Sequence, residues 1–346
     1  MKVWNKKSFW AGILLLALLS AAAIRIIRRE LAGQDLPALL RQADLRLLAL
    51  CLLCMAVYAM CDAWNIRRCL RLSGDRISPF QAARYAFAGF FFSSVTPSST
   101  GGQPAQLYYM GRDGIPLSHG AFSLLCALLS YQVISVVYGV IGAFFSPGRL
   151  FSLPGRLSWL FLVGFCINLL LVFFLFSILF SRKLAAFFAS VGIRMLGRFP
   201  RFSSSRGSIL RFFASYRRVA RLMKQHPDVF FRMLLTTGVQ ILLYHSIPFL
   251  CCRALGCAGL RWFPCVCTQA LLFISVSSLP FPGAAGITEY GYTLFYASLI
   301  PSGIIGSALL LSRCFSFVFP LVFSGLGLLL PYPRRSGGGH PTAHRL

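Results

Sequence analysis

Six long apolar blocks constrain what this chain can fold into more than any other feature. They cover residues 9–24, 47–61, 120–145, 157–180, 229–252 and 303–330. A helix needs roughly 20 residues to cross a hydrocarbon core of ~30 Å, and most of the blocks are long enough. Only 12% of the residues are charged, whereas soluble domains carry about 25%. The pattern predicts an all-α polytopic membrane protein with six full transmembrane helices.

The first block, residues 9–24, has two interpretations. Three lysines precede it and Ala21–Ala23 resemble a cleavage site, as in a secretory signal. However, the stretch lacks a polar region before the alanines, and further spans follow it. We therefore expect an uncleaved anchor.

The distribution of basic residues predicts the orientation of the spans. The formal net charge is +26. A basic balance can indicate nucleic-acid binding, but here the charge flanks membrane spans, where it sets orientation. The loop 181–228 carries eleven Lys and Arg against one acid, Asp228, which predicts a cytoplasmic loop. Also expected inside are both termini, residues 62–84 and the disordered tail 333–346. Expected outside are residues 25–46, 146–156 and 253–262. No nucleic acid is expected to bind directly.

Part of the basic loop has the periodicity of an amphipathic helix. Between residues 209 and 223 the apolar residues recur at helical spacing, and arginines flank them. This pattern suits a helix that lies on an anionic leaflet. The alternative is that the arginines only fix the orientation of the spans.

Two breaks rich in small residues and proline interrupt shorter apolar blocks. Residues 93–102 read SSVTPSSTGG and residues 277–286 read SSLPFPGAAG. The span count agrees with the basic residues only if each broken segment enters and leaves on one side, so we expect two re-entrant hairpins. Residues 1–332 then form a single membrane domain whose halves, 1–145 and 157–332, have opposite topologies. Such an inverted repeat with paired broken segments indicates a transporter-type site near the bilayer midplane.

The breaks have the chemistry of an anion site. Backbone outside a helix at membrane depth survives only where it lines a protected cavity. Pro104 suits the first turn of a new half-helix, and the adjacent Gly101 and Gly102 allow the backbone to approach closely. A second half-helix is expected to start near Thr288. Helix N-termini at mid-depth offer N–H groups and positive dipole ends to an anion such as phosphate.

Two charged residues stand inside apolar sequence. Glu289 follows the second break, and Arg313 lies well inside the last block. A charge at the centre of a membrane costs roughly 2.5–3.5 kcal/mol on insertion scales. The two residues form either a buried ion pair that locks two helices, or a site in which Arg313 holds a phosphate and Glu289 a cationic head group or a coupling proton.

Other polar side chains lie near the breaks or within the blocks. They would either bind a head group or act only as contacts between helices. Near the first break and in the following block, these residues are Ser98, Ser99, Thr100, Gln103, Gln106, Tyr108, Tyr109 and Gln132. His245 and Asn168 are expected to be satisfied within the bundle. No set of metal-ligating residues has zinc spacing, and no cofactor is expected.

Three stretches carry a resemblance to a known family. They are TPSSTGGQPAQLYYMGRDGI (96–115), SVSSLPFPGAAGITEYGY (275–292) and LLLSRCFSF (309–317). Together they resemble the transmembrane, flippase-like domain of the lysylphosphatidylglycerol synthase family, which includes the multiple peptide resistance factor. The resemblance implies a bacterial inner-membrane flippase linked to antibiotic resistance. The lipid-binding residues indicated by the motifs and the breaks are Thr96, Pro97, Gly101, Gly102, Gln103, Pro104, Gln106, Tyr108, Pro282, Gly283, Gly286, Glu289 and Arg313.

The family also implies an alternative function. Its bifunctional members carry a soluble domain that makes the lipid from aminoacyl-tRNA. This chain ends at residue 346 in the short tail RRSGGGHPTAHRL, so we expect that domain to be absent and the chain not to be an enzyme. The favoured function is a flippase for phosphatidylglycerol or its aminoacylated derivative. The alternatives are a phosphatidylglycerol lysyltransferase, or an accessory subunit of lipid aminoacylation, and a small-solute transporter. Homo-oligomerisation is left open.

Overall fold

The protein is a helical bundle. The computed structural model describes residues 41, 43–96, 99–146, 157–181, 187, 190, 206–276 and 287–330, and within these ranges it contains no strand. The α-helices are α1 (Leu45–Leu72), α2 (Pro79–Val95), α3 (Gly102–Arg112), α4 (Leu117–Phe145), α5 (Leu157–Phe180), α6 (Arg206–Gln225), α7 (Pro227–Ala254), α8 (Trp262–Val276), α9 (Ile287–Tyr296), α10 (Ser302–Arg313) and α11 (Phe319–Leu329). A π-helical turn, Cys314–Val318, joins α10 to α11.

Five elements are long and apolar enough to cross a membrane. They are α1, α4, α5, α7 and the continuous element Ser302–Leu329. These elements correspond to five of the six predicted spans. The remaining block, residues 9–24, and the tail, residues 333–346, lie outside the described residues. The expectation of an all-helical membrane protein with several spans is therefore confirmed.

Helix α1 is longer than its apolar block predicts. No Pro or Gly occurs between Leu45 and Leu72, so the helix continues through residues 62–72, beyond the apolar block 47–61 and into the region expected inside. It ends before Gly74, whose φ of 93° suits a residue without a side chain. The extension brings Asp62 into the bundle, although sequence reading did not single it out.

Helices α1 and α7 form a long antiparallel pair. At one end the Asp44 N–H donates to the carbonyl oxygen of Ala254 (2.9 Å). At the other end Nη1 of Arg68 donates to the carbonyl oxygen of Arg232 (2.9 Å). The two helices are therefore in register along their whole length, and they form the centre of the bundle.

Helices α2 and α3 form a hairpin around the first break. At about 1.5 Å per residue they span roughly 26 Å and 17 Å, less than a ~30 Å hydrocarbon core. The Tyr85 hydroxyl on α2 donates to Oδ2 of Asp113, just after α3 (2.7 Å), so the start of α2 and the end of α3 lie at the same end of the hairpin. The arms pack closely, because a Cβ on Gly102 would lie 2.1 Å from Oγ of Ser93 and 2.7 Å from the carbonyl oxygen of Gly89.

Helices α8 and α9 form a second hairpin of the same design. The Tyr296 hydroxyl at the end of α9 lies 3.3 Å from the carbonyl oxygen of Cys265, in the first turn of α8, and 3.0 Å from Oε1 of Gln269, at the middle of α8. Residues 277–286, the second break, lie outside the described residues. Helix α9 begins at Ile287, next to the start predicted near Thr288.

Each hairpin packs against the last long element of the other half. Helix α2 of the first hairpin contacts α11, and helix α8 of the second hairpin contacts α4. This exchange joins the two halves of the chain into one bundle.

The predicted amphipathic helix is present as α6, but its apolar face does not lie on a leaflet. Tyr216, Val219 and Met223 are only 5%, 1% and 2% exposed. They pack with apolar residues of α4, α5 and α7. For these three residues the expectation of a membrane-facing apolar surface is therefore wrong. The bundle itself covers that surface and leaves the arginines exposed.

His119, at the start of α4, ties α6 to the bundle through both ring nitrogens. Its Nδ1 lies 2.9 Å from Oδ2 of Asp75, and its Nε2 lies 3.1 Å from Oγ of Ser215. The order of these groups is that of a Ser–His–Asp triad, which spacing along the chain did not suggest. Ser215 lies within α6, however, where backbone N–H groups bond to carbonyls of the same helix. The helix that carries Ser215 therefore offers no free amide to an oxyanion beside its hydroxyl, and we assign the three residues to fastening α6.

Candidate functional site

A polar cluster occupies the interior between α1, α4 and α7. The rings of Tyr58 and Tyr244 lie 5.7 Å apart, and the ring of Phe273 lies against both Tyr131 (6.1 Å) and Tyr244 (6.0 Å). Asp62, one turn after Tyr58, is half-buried and lies within electrostatic range of Tyr58 and Tyr131. A carboxylate therefore stands beside phenols inside a bundle of membrane-crossing helices.

Arg313 lines a small cavity next to this cluster. The cavity has a volume of about 30 Å³, and its walls come from α7, α8, α9 and the last long element. The lining residues are Tyr244, Ile247, Pro248, Gln269, Leu272, Tyr292, Leu309, Ser312, Arg313 and Ser316. Because Tyr244 belongs to both the cluster and the cavity, the two regions are continuous.

Two backbone irregularities lie at the cavity. Pro248 has no N–H, so the carbonyl of Tyr244 loses its usual donor within α7. Arg313 is followed directly by the π-helical turn Cys314–Val318, and such turns occur frequently at functional sites. Polar groups are therefore exposed to the cavity by the helices that form it.

Asp62 and Arg313 lie at different depths. Asp62 is ten residues before the end of α1, or about 15 Å from the side that carries α6. Arg313 is eleven residues after the start of α10, or about 17 Å from the opposite side. Tyr58 and Tyr131, each about 21 Å from the α6 side, lie between them. These groups form a polar path through the middle of the bundle.

His245 sits beside this path with neither ring nitrogen satisfied. It is 1% exposed, and Nδ1 and Nε2 have no hydrogen-bond partner in the part of the chain that the structure describes. The rings of Tyr138, Tyr244 and Phe273 surround it. The expectation that His245 is satisfied is therefore wrong. For Asn168 it is confirmed, because its Nδ2 donates to the carbonyl oxygen of Gly164 (2.8 Å).

The residues of the first motif shape the first hairpin. Oγ1 of Thr96 accepts a hydrogen bond from the Gly101 N–H (2.9 Å) and donates to the carbonyl oxygen of Phe92 (2.6 Å), which closes the break. Gly102 is the first residue of α3. Pro97 lies outside the described residues.

The rest of the first motif lies away from the Arg313 cavity. Gln106 is buried against Gly89, where a Cβ would lie 2.5 Å from Nε2 of Gln106. Three residues are exposed: Gln103, Pro104 and Tyr108. No residue of this motif that the structure describes lines the cavity, so a role in lipid binding stays a prediction for them.

The structure describes only the helix that follows the second break. Three residues of that motif lie outside the described residues: Pro282, Gly283 and Gly286. Glu289 is the third residue of α9, and only its place in the helix is described. It precedes Tyr292, which lines the Arg313 cavity, by about one turn. Pairing of Glu289 with Arg313 stays a prediction.

Comparison with known proteins decides the family. A family described as the lysylphosphatidylglycerol synthase TM region matches residues 9–324. The chain belongs to this family. A UPF0104 membrane protein of Archaeoglobus fulgidus is 24% identical over 320 residues, which cover 90% of this chain and 94% of the relative. The resemblance read from the three motifs is thus confirmed.

In this member of the synthase TM-region family, sequence reading missed the polar cluster. Asp62 had a signal, because helix α1 has no breaker before Leu72 and a carboxylate inside it lies at membrane depth. No sequence feature marked the three tyrosines, Tyr58, Tyr131 and Tyr244. Tyrosine is common where membrane helices meet the interface, and only the packing of three distant helices brings these three together.

Proposed function

We propose that the chain is a phospholipid transporter that moves an anionic or aminoacylated phospholipid between leaflets. The observation that carries the proposal is the polar path from Asp62 to Arg313 inside a bundle of apolar helices. Charges at membrane depth are costly and mark substrate pathways. A carboxylate and a guanidinium also match the two charges of an aminoacylated head group, an ammonium and a phosphate.

Each polar group of the path has a distinct role in this proposal. The guanidinium of Arg313 binds a phosphate through two parallel hydrogen bonds. Tyr244 and Gln269, in the same cavity, add donors to the phosphate. Asp62 binds the ammonium of an aminoacylated lipid, or takes up a proton when the lipid has none. Phosphatidylglycerol and its lysyl derivative fit this arrangement.

The helix positions support an inverted repeat. The second break lies 184 residues after the first (277 minus 93). Adding 184 to the bounds of α1, α2, α3 and α4 reproduces those of α7, α8, α9 and Ser302–Leu329 to within three residues. The antiparallel pair of α1 and α7 and the exchanged packing of the hairpins agree with it. Transporters with this architecture bind substrate at the repeat interface near the midplane, which is where Tyr58 and Tyr244 meet.

Transport requires the cavity to enlarge. A volume of about 30 Å³ holds about one water molecule, far less than a head group. The last long element must therefore move against α7 during the cycle. Pro248 and the π-helical turn lie at this contact and supply the points at which the two helices can bend.

The test is a translocation assay in reconstituted vesicles across a panel of fluorescent phospholipids. Anionic or aminoacylated lipids should cross, and Arg313→Gln should slow them roughly 10- to 150-fold, because a hydrogen bond to a charged group is worth about 1.5–3 kcal/mol. Arg232→Gln is the matched control, since Arg232 is exposed on α7. Loss of protein abundance in Arg313→Gln, with an unchanged rate per molecule, would instead indicate a structural ion pair.

Two further outcomes would replace the proposal. Uptake of a soluble substrate into vesicles that lack the candidate lipid would favour a small-solute transporter. Formation of aminoacyl lipid from purified protein, charged tRNA and phosphatidylglycerol would favour a lysyltransferase.

A further inference from the structure

A second cavity lies at the edge of the bundle, between the end of α5 and helix α6. Its volume is about 400 Å³, large enough for a head group. It is separate from the Arg313 cavity and shares no residue with it. The lining residues are Leu179, Phe180, Ser181, Ala214, Tyr216, Arg217, Ala220, Arg221 and Lys224.

The positively charged residues of this cavity have no acidic residues near them in the sequence. Arg217, Arg221 and Lys224 follow one another along one stripe of α6, at spacings of four and three residues. No acidic residue occurs between Asp113 and Asp228. Within the described residues, no carboxylate forms a salt bridge with any of the three. The cavity therefore attracts an anion.

Lys224 is held in place at the C-terminal end of α5. Its Nζ donates to the carbonyl oxygen of Phe180 (3.3 Å) and lies 5.5 Å from the centre of the Phe180 ring. An ammonium has three N–H donors, so two remain for a ligand. The cation is thus positioned before any ligand arrives.

The hydroxyl of Tyr216 provides an independent sign of a ligand. Tyr216 is 5% exposed, and its hydroxyl has no hydrogen-bond partner in the part of the chain that the structure describes. Burial, and then the neighbouring thiols of Cys126 and Cys69, raise the pKa of Tyr216 well above its ordinary value. The O–H therefore stays protonated and can donate. A buried donor without a partner is costly, and Tyr216 is one of the residues that line the cavity.

The surroundings of the cavity indicate that the anion belongs to a lipid. Helix α5 crosses the membrane and ends at the cavity, and its outer surface is apolar. Leu170, Phe173 and Phe176 on α5 are 67%, 72% and 54% exposed. Acyl chains that cover this surface place a phosphate at the end of α5, where the basic stripe of α6 begins.

We propose that this cavity binds the phosphate head group of an anionic phospholipid while the acyl chains lie along α5. This site is distinct from the transport path and does not depend on it. The bound lipid would fasten α6 to the membrane surface through its basic face, because its apolar face is already packed on the bundle.

Titration of phosphatidylglycerol into the full-length protein in neutral detergent, followed by native mass spectrometry, tests the proposal. The double variant Arg217→Gln/Arg221→Gln should bind roughly 30-fold more weakly, about fivefold for each arginine near a membrane surface. The matched control is Arg211→Gln/Arg218→Gln, which removes the same charge from the same helix but outside the cavity lining. It should keep near wild-type affinity. Equal losses in the two double variants would overturn the site and leave only general attraction to charge.

A second variant separates ligand binding from folding. Tyr216→Phe removes only the unsatisfied hydroxyl, so we expect an unchanged or higher thermal midpoint and weaker binding of phosphatidylglycerol. A lower midpoint with unchanged affinity would overturn the role of the hydroxyl and the proposal with it.

Two further ligands identify the source of the anion. Phosphatidylcholine, which has no net charge, should bind more weakly than phosphatidylglycerol, and equal binding would overturn the proposal. Inorganic phosphate should also bind more weakly, since it lacks acyl chains. Equal binding of inorganic phosphate would show a site for soluble anions and overturn the lipid assignment.

Discussion

The interior around Arg313 and the surface around α6 hold arginine under opposite conditions. In the interior one guanidinium is surrounded by hydroxyl and amide groups from four elements, with a carboxylate about 10 Å away in depth. On α6 the arginines stand in rows with no acid between Asp113 and Asp228. In the interior, neighbouring groups fix the position of each charge. On the surface of α6, many positive charges lie close together without such neighbours.

This difference shows that charged residues act in two ways in a membrane bundle: singly and at fixed positions in the interior, and through their number at the surface. At depth a single charge is expensive, so each one has neighbours supplied by the packing of helices. At the surface water screens each charge, and the number of arginines matters more than their exact places. Changes in the interior should therefore have large and specific effects, and changes at the surface small and additive ones.

The largest effect outside Arg313 is expected at Asp62. Asp62→Asn removes the charge that faces the phenols, so translocation of an aminoacylated lipid should fall by about tenfold or more, as expected for a charge-assisted hydrogen bond. Protein abundance should not fall, because the neutral amide is cheaper to bury. Translocation rates in reconstituted vesicles measure this. An unchanged rate would remove Asp62 from the path and weaken the contrast between interior and surface.

An intermediate effect is expected at the first hairpin. Gly102→Ala should destabilise the protein by about 1–3 kcal/mol through overpacking, since its Cβ would collide with Ser93 and the Gly89 backbone. Gly111, in the same helix α3, has no atom within 4 Å of a Cβ. Gly111→Ala should stabilise α3 by about 0.5–1 kcal/mol. Thermal unfolding in detergent compares the two, and similar midpoints would contradict the close packing of the hairpin.

The smallest effect is expected at an exposed ion pair on α7. Arg232 Nη2 lies 3.6 Å from Oδ2 of Asp228, with side chains 68% and 57% exposed. Such pairs, four residues apart on a helix, contribute about 0.3–0.5 kcal/mol. Asp228→Asn should therefore leave both the thermal midpoint and the translocation rate close to wild type. A loss as large as that of Asp62→Asn would mean that surface charge is specified as closely as interior charge.

Much of the fold could be predicted from the sequence. Apolar blocks and breakers mark the long helices, and the repeated Ser-Ser start at Ser93 and Ser277 gives an offset that relates the described helices of the two halves. The end of α1 was missed because its charged last turns resemble a loop. The apolar face of α6 was assigned to lipid because periodicity shows that a helix has an apolar face, but it does not show whether lipid or other helices cover that face.

Much less of the candidate site could be predicted. Arg313 stands out because a charge in an apolar block is rare and costly. Tyr58, Tyr131 and Tyr244 come from three helices and meet only through packing, so no local pattern marks them. The cavity at α6 depends on where α5 ends relative to α6, which the sequence between the two helices does not reveal.

The π-helical turn after Arg313 has a consequence for the rotation of the last long element. Successive residues of an α-helix are rotated by about 100° around its axis. The additional residue in the π-helical turn therefore changes the direction in which the side chains of Ser302–Arg313 point relative to those of Phe319–Leu329. The second segment keeps its contact with α2 while the first directs its guanidinium independently. Excising a single residue from Cys314–Val318 would therefore swing the guanidinium about a quarter of a circle away from Tyr244 without moving the chain beyond it.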